Sequence, residues 1–307
     1  MPHVHPPLPM SRLRLRVCVC LAMAAFAGNS LLCRMALKNT AIDAASFTAV
    51  RLVSGACMLW LLVRLQRGTD AAQGKGDWLS ASALFAYAAG FSFAYISMSA
   101  ATGALLLFGS VQATMILYGI GKGERLHGRQ LLGLAVALAG LVALLLPGLA
   151  TPSLSGALSM LGAGIAWGVY SLRGKRQPAR GQGHPTAVTA GNFMRTVPMA
   201  LVLALVMIDQ LTLDSNGLVL AVLSGALASG IGYAVWYHVL PALKATHAAT
   251  VQLSVPVIAA LGGALFLGEA LTLPLLLSSC AILGGIALLI LDRPEQRQNP
   301  PAPPSGP

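Results

Sequence analysis

The sequence predicts an all-α integral membrane protein, with ten transmembrane helices as two inverted five-helix repeats. Three observations carry this reading. The 307 residues are 56% hydrophobic and only 9% charged, with a mean hydropathy of +0.74. An ordinary soluble domain is about 25% charged. So few charges cannot cover a water-facing surface, and most of the exterior must face lipid. Apolar segments recur along the whole chain. At roughly 20 residues per span, ten spans use about two thirds of it, leaving short loops and no separate soluble domain. Finally, landmarks of one half return in the other, and each half holds five apolar segments. A unit that crosses a bilayer an odd number of times leaves its copy inserted upside down.

The spans fall near residues 17–37, 44–65, 78–99, 101–120, 130–147, 155–172, 186–207, 217–240, 246–267 and 272–291. The first imitates a signal peptide: Arg12, Arg14 and Arg16 precede a short apolar run, and Ala25-Phe26-Ala27 resembles a cleavage site. The apolar stretch nevertheless continues to Leu37, broken only by Asn29, Ser30 and Arg34, and it has a counterpart around Trp167-Gly168 that cannot be a signal. It is therefore read as a retained helix. Residues 1–16 and 293–307 are expected to be disordered. The first begins with a Pro- and His-rich run and the second has six prolines and no apolar run.

The net charge of +11 raises nucleic acid as a partner, but the positions of the charges argue against it. No basic patch carries interleaved aromatics, and most Lys and Arg residues sit in gaps between apolar runs. If the N-terminus is cytoplasmic, sixteen of the twenty basic residues fall on cytoplasmic segments and their flanks. Cytoplasmic loops carry such an excess. The prediction is a multi-pass protein of the cell inner membrane with both termini cytoplasmic. Cys18, Cys20, Cys33, Cys57 and Cys280 lie within or at the ends of apolar segments, without CxxC spacing. That argues against a disulfide framework and a zinc site. No metal or cofactor is expected.

Landmarks recur about 140–145 residues apart: Gly28 with Gly168, Arg51 with Arg195, Phe91 and Tyr95 with Tyr233 and Tyr237, Gly123-Glu124 with Gly268-Glu269, and Gly140 with Gly285. The segments AGNSLLCRMAL, FTAVRLVSG, Gly123-Glu124-Arg125-Leu126 and ALFLGEALT then carry a resemblance. Over residues 17–291 the chain resembles the ten-helix drug/metabolite transporters built from two EamA domains. The resemblance assigns one EamA-like repeat to 17–147 and a second to 155–291. It implies a secondary transporter that works by alternating access, typically exporting amino acids or other small metabolites, with its cavity between the halves. One departure stands out. The family often has a proline near the middle of the fourth span. Here Ser110-Val111-Gln112 stands there, while Pro256 is kept in the ninth. The expectation is that the two halves do not move alike.

Polar and aromatic groups within spans are the candidate substrate contacts, because a polar group in lipid is costly without a partner. Asn29 lies mid-span in the first helix. Tyr87, Phe91 and Tyr95 recur every four residues and share one face of the third. Tyr233 and Tyr237 form the matching stripe in the eighth. Gln112, Trp167, Tyr170, Asn192 and Gln252 complete the polar and aromatic set, and interhelical packing is the competing reading for each. Gln112 and Gln252 offer amide donors and acceptors suited to a zwitterionic or amide-bearing solute. Arg51 and Arg195 could each meet a substrate carboxylate. The competing reading for both is a side chain that snorkels to the interface or binds helix C-terminal carbonyls. Arg195 joins the candidate substrate-binding set with Asn29, Tyr87, Phe91, Tyr95, Gln112, Trp167, Tyr170, Asn192, Tyr237 and Gln252. Glu124 and Glu269 read as structural groups that cap the next helix.

The expected partners are a small-molecule substrate and the lipid bilayer, without nucleic acid; a homodimer is allowed. Two rival classes stay open. Gly90-Phe91-Ser92-Phe93 resembles the GxSx of intramembrane serine proteases, with His238 and His247 as the available bases. A channel is the other. No Asp or Glu falls mid-span to relay a proton, which favours facilitated export or exchange over strict proton antiport.

Overall fold

The computed structural model describes residues 11–66, 74–123, 126–145, 152–175, 183–243 and 250–291. Ten long helices follow one another: α1 (Arg12–Asn39), α2 (Ala44–Leu65), α3 (Trp78–Tyr95), α4 (Ala100–Gly121), α5 (Gly128–Leu145), α6 (Leu154–Lys175), α7 (Pro185–Val206), α8 (Ser215–Val239), α9 (Thr250–Leu267) and α10 (Leu273–Leu291). Among the described residues there is no strand. Eight of the ten helices are long and apolar enough to cross a membrane, the exceptions being α3 and α6. These two are diluted by serines, tyrosines and, in α6, Arg173 and Lys175. They also pack on each other, which buries Ser80, Tyr87, Ser92, Tyr95 and Tyr170 away from lipid.

Polar side chains close the N-terminal ends, where the first N–H groups lack intrahelical partners. Ser11 accepts from Arg14 N at 3.3 Å, so α1 begins at Arg12, earlier than the position near 17 expected from hydropathy. Residues 12–16 are therefore helical, which corrects the expectation of a loose segment there. Asp43 caps α2, Asp77 caps α3, Ser99 caps α4 and Asp214 caps α8. Ser99 and its preceding turn end α3 at Tyr95, a few residues short of the expected span. Residues 1–10 and 292–307, Glu124, Arg125, Lys244 and His247 lie outside the described residues.

Contacts between helix ends give each helix a direction. Arg34, near the end of α1, reaches Tyr95 O at the end of α3 and Glu269 after α9, and Glu269 accepts from Ala100 N at the start of α4. The α1–α2 corner meets the α7–α8 corner through Asp43 and Thr212. Ser97 and Ser153, 2.8 Å apart, put the start of α6 at this same face. Arg173 at the end of α6 and Asp77 at the start of α3 meet at the other face. Thus α1 starts at one face and α6 at the opposite one, and the second five helices run inverted relative to the first.

Packing repeats across this inversion. Helix α2 packs on its counterpart α7, and α5 on its counterpart α10. The α4–α6 pair corresponds to α9–α1, and the α3–α6 pair to α8–α1. Glycine permits the close crossings, as expected where lipid offers no hydrophobic drive between helices. A Cβ on Gly133 would stand 2.6 Å from Gly285 O, and one on Gly285 would stand 2.6 Å from Ala137 N. Two departures from regularity fall in the second half. Leu223–Ile231 within α8 is π-helical, and α9 is interrupted at Leu253, just before Pro256.

Candidate substrate-binding site

A narrow cavity lies where α1, α3, α4, α6 and α8 converge, with about 310 Å³ of space between atoms, part of it open. Phe26, Asn29, Tyr87, Phe91, Trp167 and Tyr233 are prominent in its lining. The helical spacing of four that joins Tyr87, Phe91 and Tyr95 produces a continuous stack. Ring centroids are 5.4 Å apart for Tyr87–Phe91 and 4.7 Å for Phe91–Tyr95. Trp167 bridges the halves: its ring lies 4.8 Å from Tyr87, 5.0 Å from Tyr233 and 5.5 Å from Tyr170. Phe26 meets Tyr233 and Trp236 edge-on, each at 5.8 Å.

A buried chain of hydrogen bonds runs through this aromatic wall. Ser224 Oγ donates to Asn29 Oδ1 at 2.6 Å. Asn29 Nδ2 donates to Tyr87 Oη at 3.2 Å, and Arg51 Nη2 donates to the same oxygen at 3.1 Å. The chain joins α8, α1, α3 and α2. Arg51 is 1% exposed, and its guanidinium carbon stands 4.8 Å from the Phe91 ring centroid and 5.3 Å from that of Tyr87. Gly225, in the π-helical segment, packs directly on Arg51 O and Ser54 Oγ, which holds α8 against α2 at this level.

Of the expected site residues, Asn29, Tyr87, Phe91 and Trp167 line the cavity, and Tyr95 and Tyr170 extend its aromatic stack. Asn192, fully buried, donates to Tyr170 Oη at 3.4 Å and accepts from Asp77 N at 2.9 Å, tying the stack to the turn before α3. Tyr237 is half-buried beside Gly174 at the same end. Gln112 lies elsewhere, in an apolar cleft between α4, α5 and α10 with Gly109, Leu134 and Ile286. Gln252 is half-buried in the first turn of α9. Arg195 donates to Lys75 O and, at 2.9 Å, to Gly191 O, and its guanidinium stands near the Trp78 ring. It serves the helix end rather than the cavity. Ser224, Phe26 and Trp236 were outside the sequence-based set. Phe26 is a single aromatic without a stripe, Trp236 stands at the i+3 position after Tyr233, a signal that could have found it, and the π-helical geometry that presents Ser224 has no signature in hydropathy.

Charged groups close both faces. Arg34 Nε pairs with Glu269 Oε1 at 3.1 Å, while Glu269 Oε2 accepts from Ala100 N at 2.8 Å. Glu269 therefore caps α4, in the other half of the chain, and not the next helix, α10, as the sequence suggested. At the opposite face Arg173 Nη2 pairs with Asp77 Oδ1 at 2.8 Å, and its Nε donates to Ser80 Oγ at 2.9 Å. Partial burial pushes the Asp77 carboxyl up, but hydrogen bonds from Ser80 and the Arg173 guanidinium outweigh it and hold the group below the usual carboxylate range. Partial burial likewise opposes the hydrogen bonds from Ser46, Thr212 and Ala45 at Asp43, which also lies below that range. Ser92, in the GxSx stretch, donates to Ala88 O at 3.0 Å, and His238 is exposed.

Ten helices in two inverted sets, fastened by charged pairs at both faces around a polar and aromatic cavity, have the build of a membrane transporter. The EamA-like transporter family model matches residues 154–291, which cover α6–α10. An uncharacterized protein of Pseudomonas aeruginosa is 58% identical over 271 residues, 88% of this chain and 92% of that protein. The threonine/homoserine exporter RhtA of Salmonella typhimurium is 34% identical over 151 residues, 47% of this chain and 49% of the exporter. A crystal structure matches with a TM-score of 0.62 over 92% of this chain and 98% of that one; at 19% identity this speaks for the fold alone. The second five helices of the chain are thus similar to the EamA-like transporter family.

Proposed function

We propose that the protein is a secondary carrier that exports a small amino-acid-like metabolite across the inner membrane by alternating access. The buried hydrogen-bond chain Ser224–Asn29–Tyr87–Arg51 within the aromatic cavity carries this reading. It draws on both halves of the chain, so a solute seated there would sense their relative movement. A pocket of mainly apolar lining with a few convergent polar groups is the usual form of a small-molecule site. Partial similarity to a threonine/homoserine exporter supports the amino-acid class and the outward direction. The Lys and Arg excess in the loops on the N-terminal face supports cytoplasmic termini.

The test is counterflow. The full chain is reconstituted in proteoliposomes preloaded with one unlabelled solute from a panel of amino acids, amines and neutral metabolites. Labelled solute outside should accumulate transiently and saturably. Passive, non-saturating flux for the whole panel would replace the carrier with a channel.

A further inference from the structure

Among the described residues Arg51 is a cation without a carboxylate partner in the heart of the bundle. None of the nine Asp and Glu residues lies inside one of the ten helices. The guanidinium is 1% exposed, one nitrogen holds Tyr87 Oη, and the other, Nη1, has no hydrogen-bond partner among the described residues. Two aromatic faces stabilise the charge but accept no conventional hydrogen bond. Tyr87 Oη accepts from both Asn29 and Arg51, and the neighbouring Tyr233 hydroxyl can take its own proton. The carbonyl oxygen of Asn29 already accepts from Ser224. Arg51 thus lies directly behind Tyr87 and Phe91 of the cavity lining, with a positive charge that no carboxylate among the described residues pairs.

We propose that Arg51 is the anchor for a carboxylate, and that the transported solute is a carboxylic acid or zwitterion whose anionic end sits against Arg51 Nη1 and the Tyr87 hydroxyl. This deepens the carrier reading and rests on it. A carboxylate supplies the acceptor that Arg51 Nη1 lacks and neutralises the guanidinium where water does not screen it. The aromatic wall of Phe26, Trp167 and Tyr233 is left for the apolar part of the solute. Arg195 is placed differently: its Nη1 is held by the Lys75 and Gly191 carbonyls, away from the cavity lining.

The experiment compares L-threonine with L-threoninamide on the purified full chain, read as ligand-induced thermal stabilisation and as counterflow. The two differ at the carboxyl group. The wild type should respond to the acid at least about tenfold more strongly, the range in which charge-assisted hydrogen bonds act. Arg51→Gln should abolish that preference, and Arg51→Lys, which keeps the charge but loses the planar fork, should retain it at reduced affinity. Equal response to acid and amide, or a preference that survives in Arg51→Gln, overturns the proposal. Where Arg51→Gln does not fold, the wild-type comparison and Arg51→Lys still decide. Exchange of amines or neutral metabolites with no carboxylate accepted would overturn the anchor and leave the carrier standing. Exchange of nothing at all would remove both.

Discussion

Glu269→Gln probes the closure of the face where α1 ends. Glu269 binds Arg34 through one oxygen and the first N–H of α4 through the other, so it fastens the α9–α10 corner to both α1 and α4. Glutamine keeps the shape and can still accept from Ala100 N, but loses the charge. The pair is mostly buried, with side-chain exposures of 15% for Arg34 and 9% for Glu269. Exposed pairs are worth about 0–1 kcal/mol, and breaking fully buried ones costs about 3–5 kcal/mol. Arg34 retains the Tyr95 and Ile96 carbonyls, which softens the loss. About 2 kcal/mol is then the expected change, or about a thirtyfold increase in the population open at this face. Cys33, fully buried and next to Arg34, reports that opening. With Cys18, Cys20, Cys57 and Cys280 replaced, a membrane-impermeant maleimide should label Cys33 about thirtyfold faster in Glu269→Gln than in the parent. An unchanged labelling rate in a folded variant would refute the latch.

Other expectations are direct. Trp167→Ala removes the ring shared by Tyr87, Tyr170 and Tyr233 and should change solute selectivity in counterflow without preventing insertion, whereas Gln112→Ala, which acts outside this cavity, should leave selectivity close to wild type. Gly133→Leu drives a side chain into the Gly285 backbone and should destabilise the α5–α10 contact by at least about 1–3 kcal/mol, read as a lower thermal midpoint in detergent. Asp77 and Asp43 are held below their ordinary range, so their contribution to stability is complete above the unfolded value of about 3.9 and is lost as pH falls through the lower folded value. Asp77→Asn should flatten the acid limb of a stability-against-pH curve; a limb of unchanged slope would show that the Arg173 pair contributes nothing.

The architecture was legible because its determinants are periodic. Span length, loop charge and landmarks near 140 residues apart all survive in one dimension, and they led to the ten helices and their alternation. The aromatic stripe was legible for the same reason, since Tyr87, Phe91 and Tyr95 share a helix face whatever surrounds it. The arginines were not. Arg51 and Arg195 occupy corresponding places in the repeat and read alike. Only packing separates them: one lies against Tyr87 and Phe91 without a carbonyl to satisfy it, and the other finds the carbonyls of Lys75 and Gly191. Gln112 was ambiguous for a similar reason, because a mid-span amide shows that a polar group is buried but not which interface it enters.

The sequence asymmetry at Pro256 acquires a mechanical meaning in the structure. α4 is continuous from Ala100 to Gly121, whereas its counterpart α9 is broken at Leu253. α3 is regular, whereas its counterpart α8 is π-helical where Ser224 meets Asn29 and Gly225 meets Arg51. Helix irregularities are where backbone geometry can change with the smallest loss of hydrogen bonds. Bending is therefore expected to concentrate in α8 and α9, which both pack on α1. A change at the cavity can thus act on Ser224 and on the α9 end that carries Glu269, while α3 and α4 remain a regular wall. If so, spin labels on α8 and α9 should change separation on addition of a transported solute by more than labels at equivalent places on α3 and α4. Equal displacements in the two pairs would mean that the halves rock as rigid bodies and that the irregular helices are only static packing features.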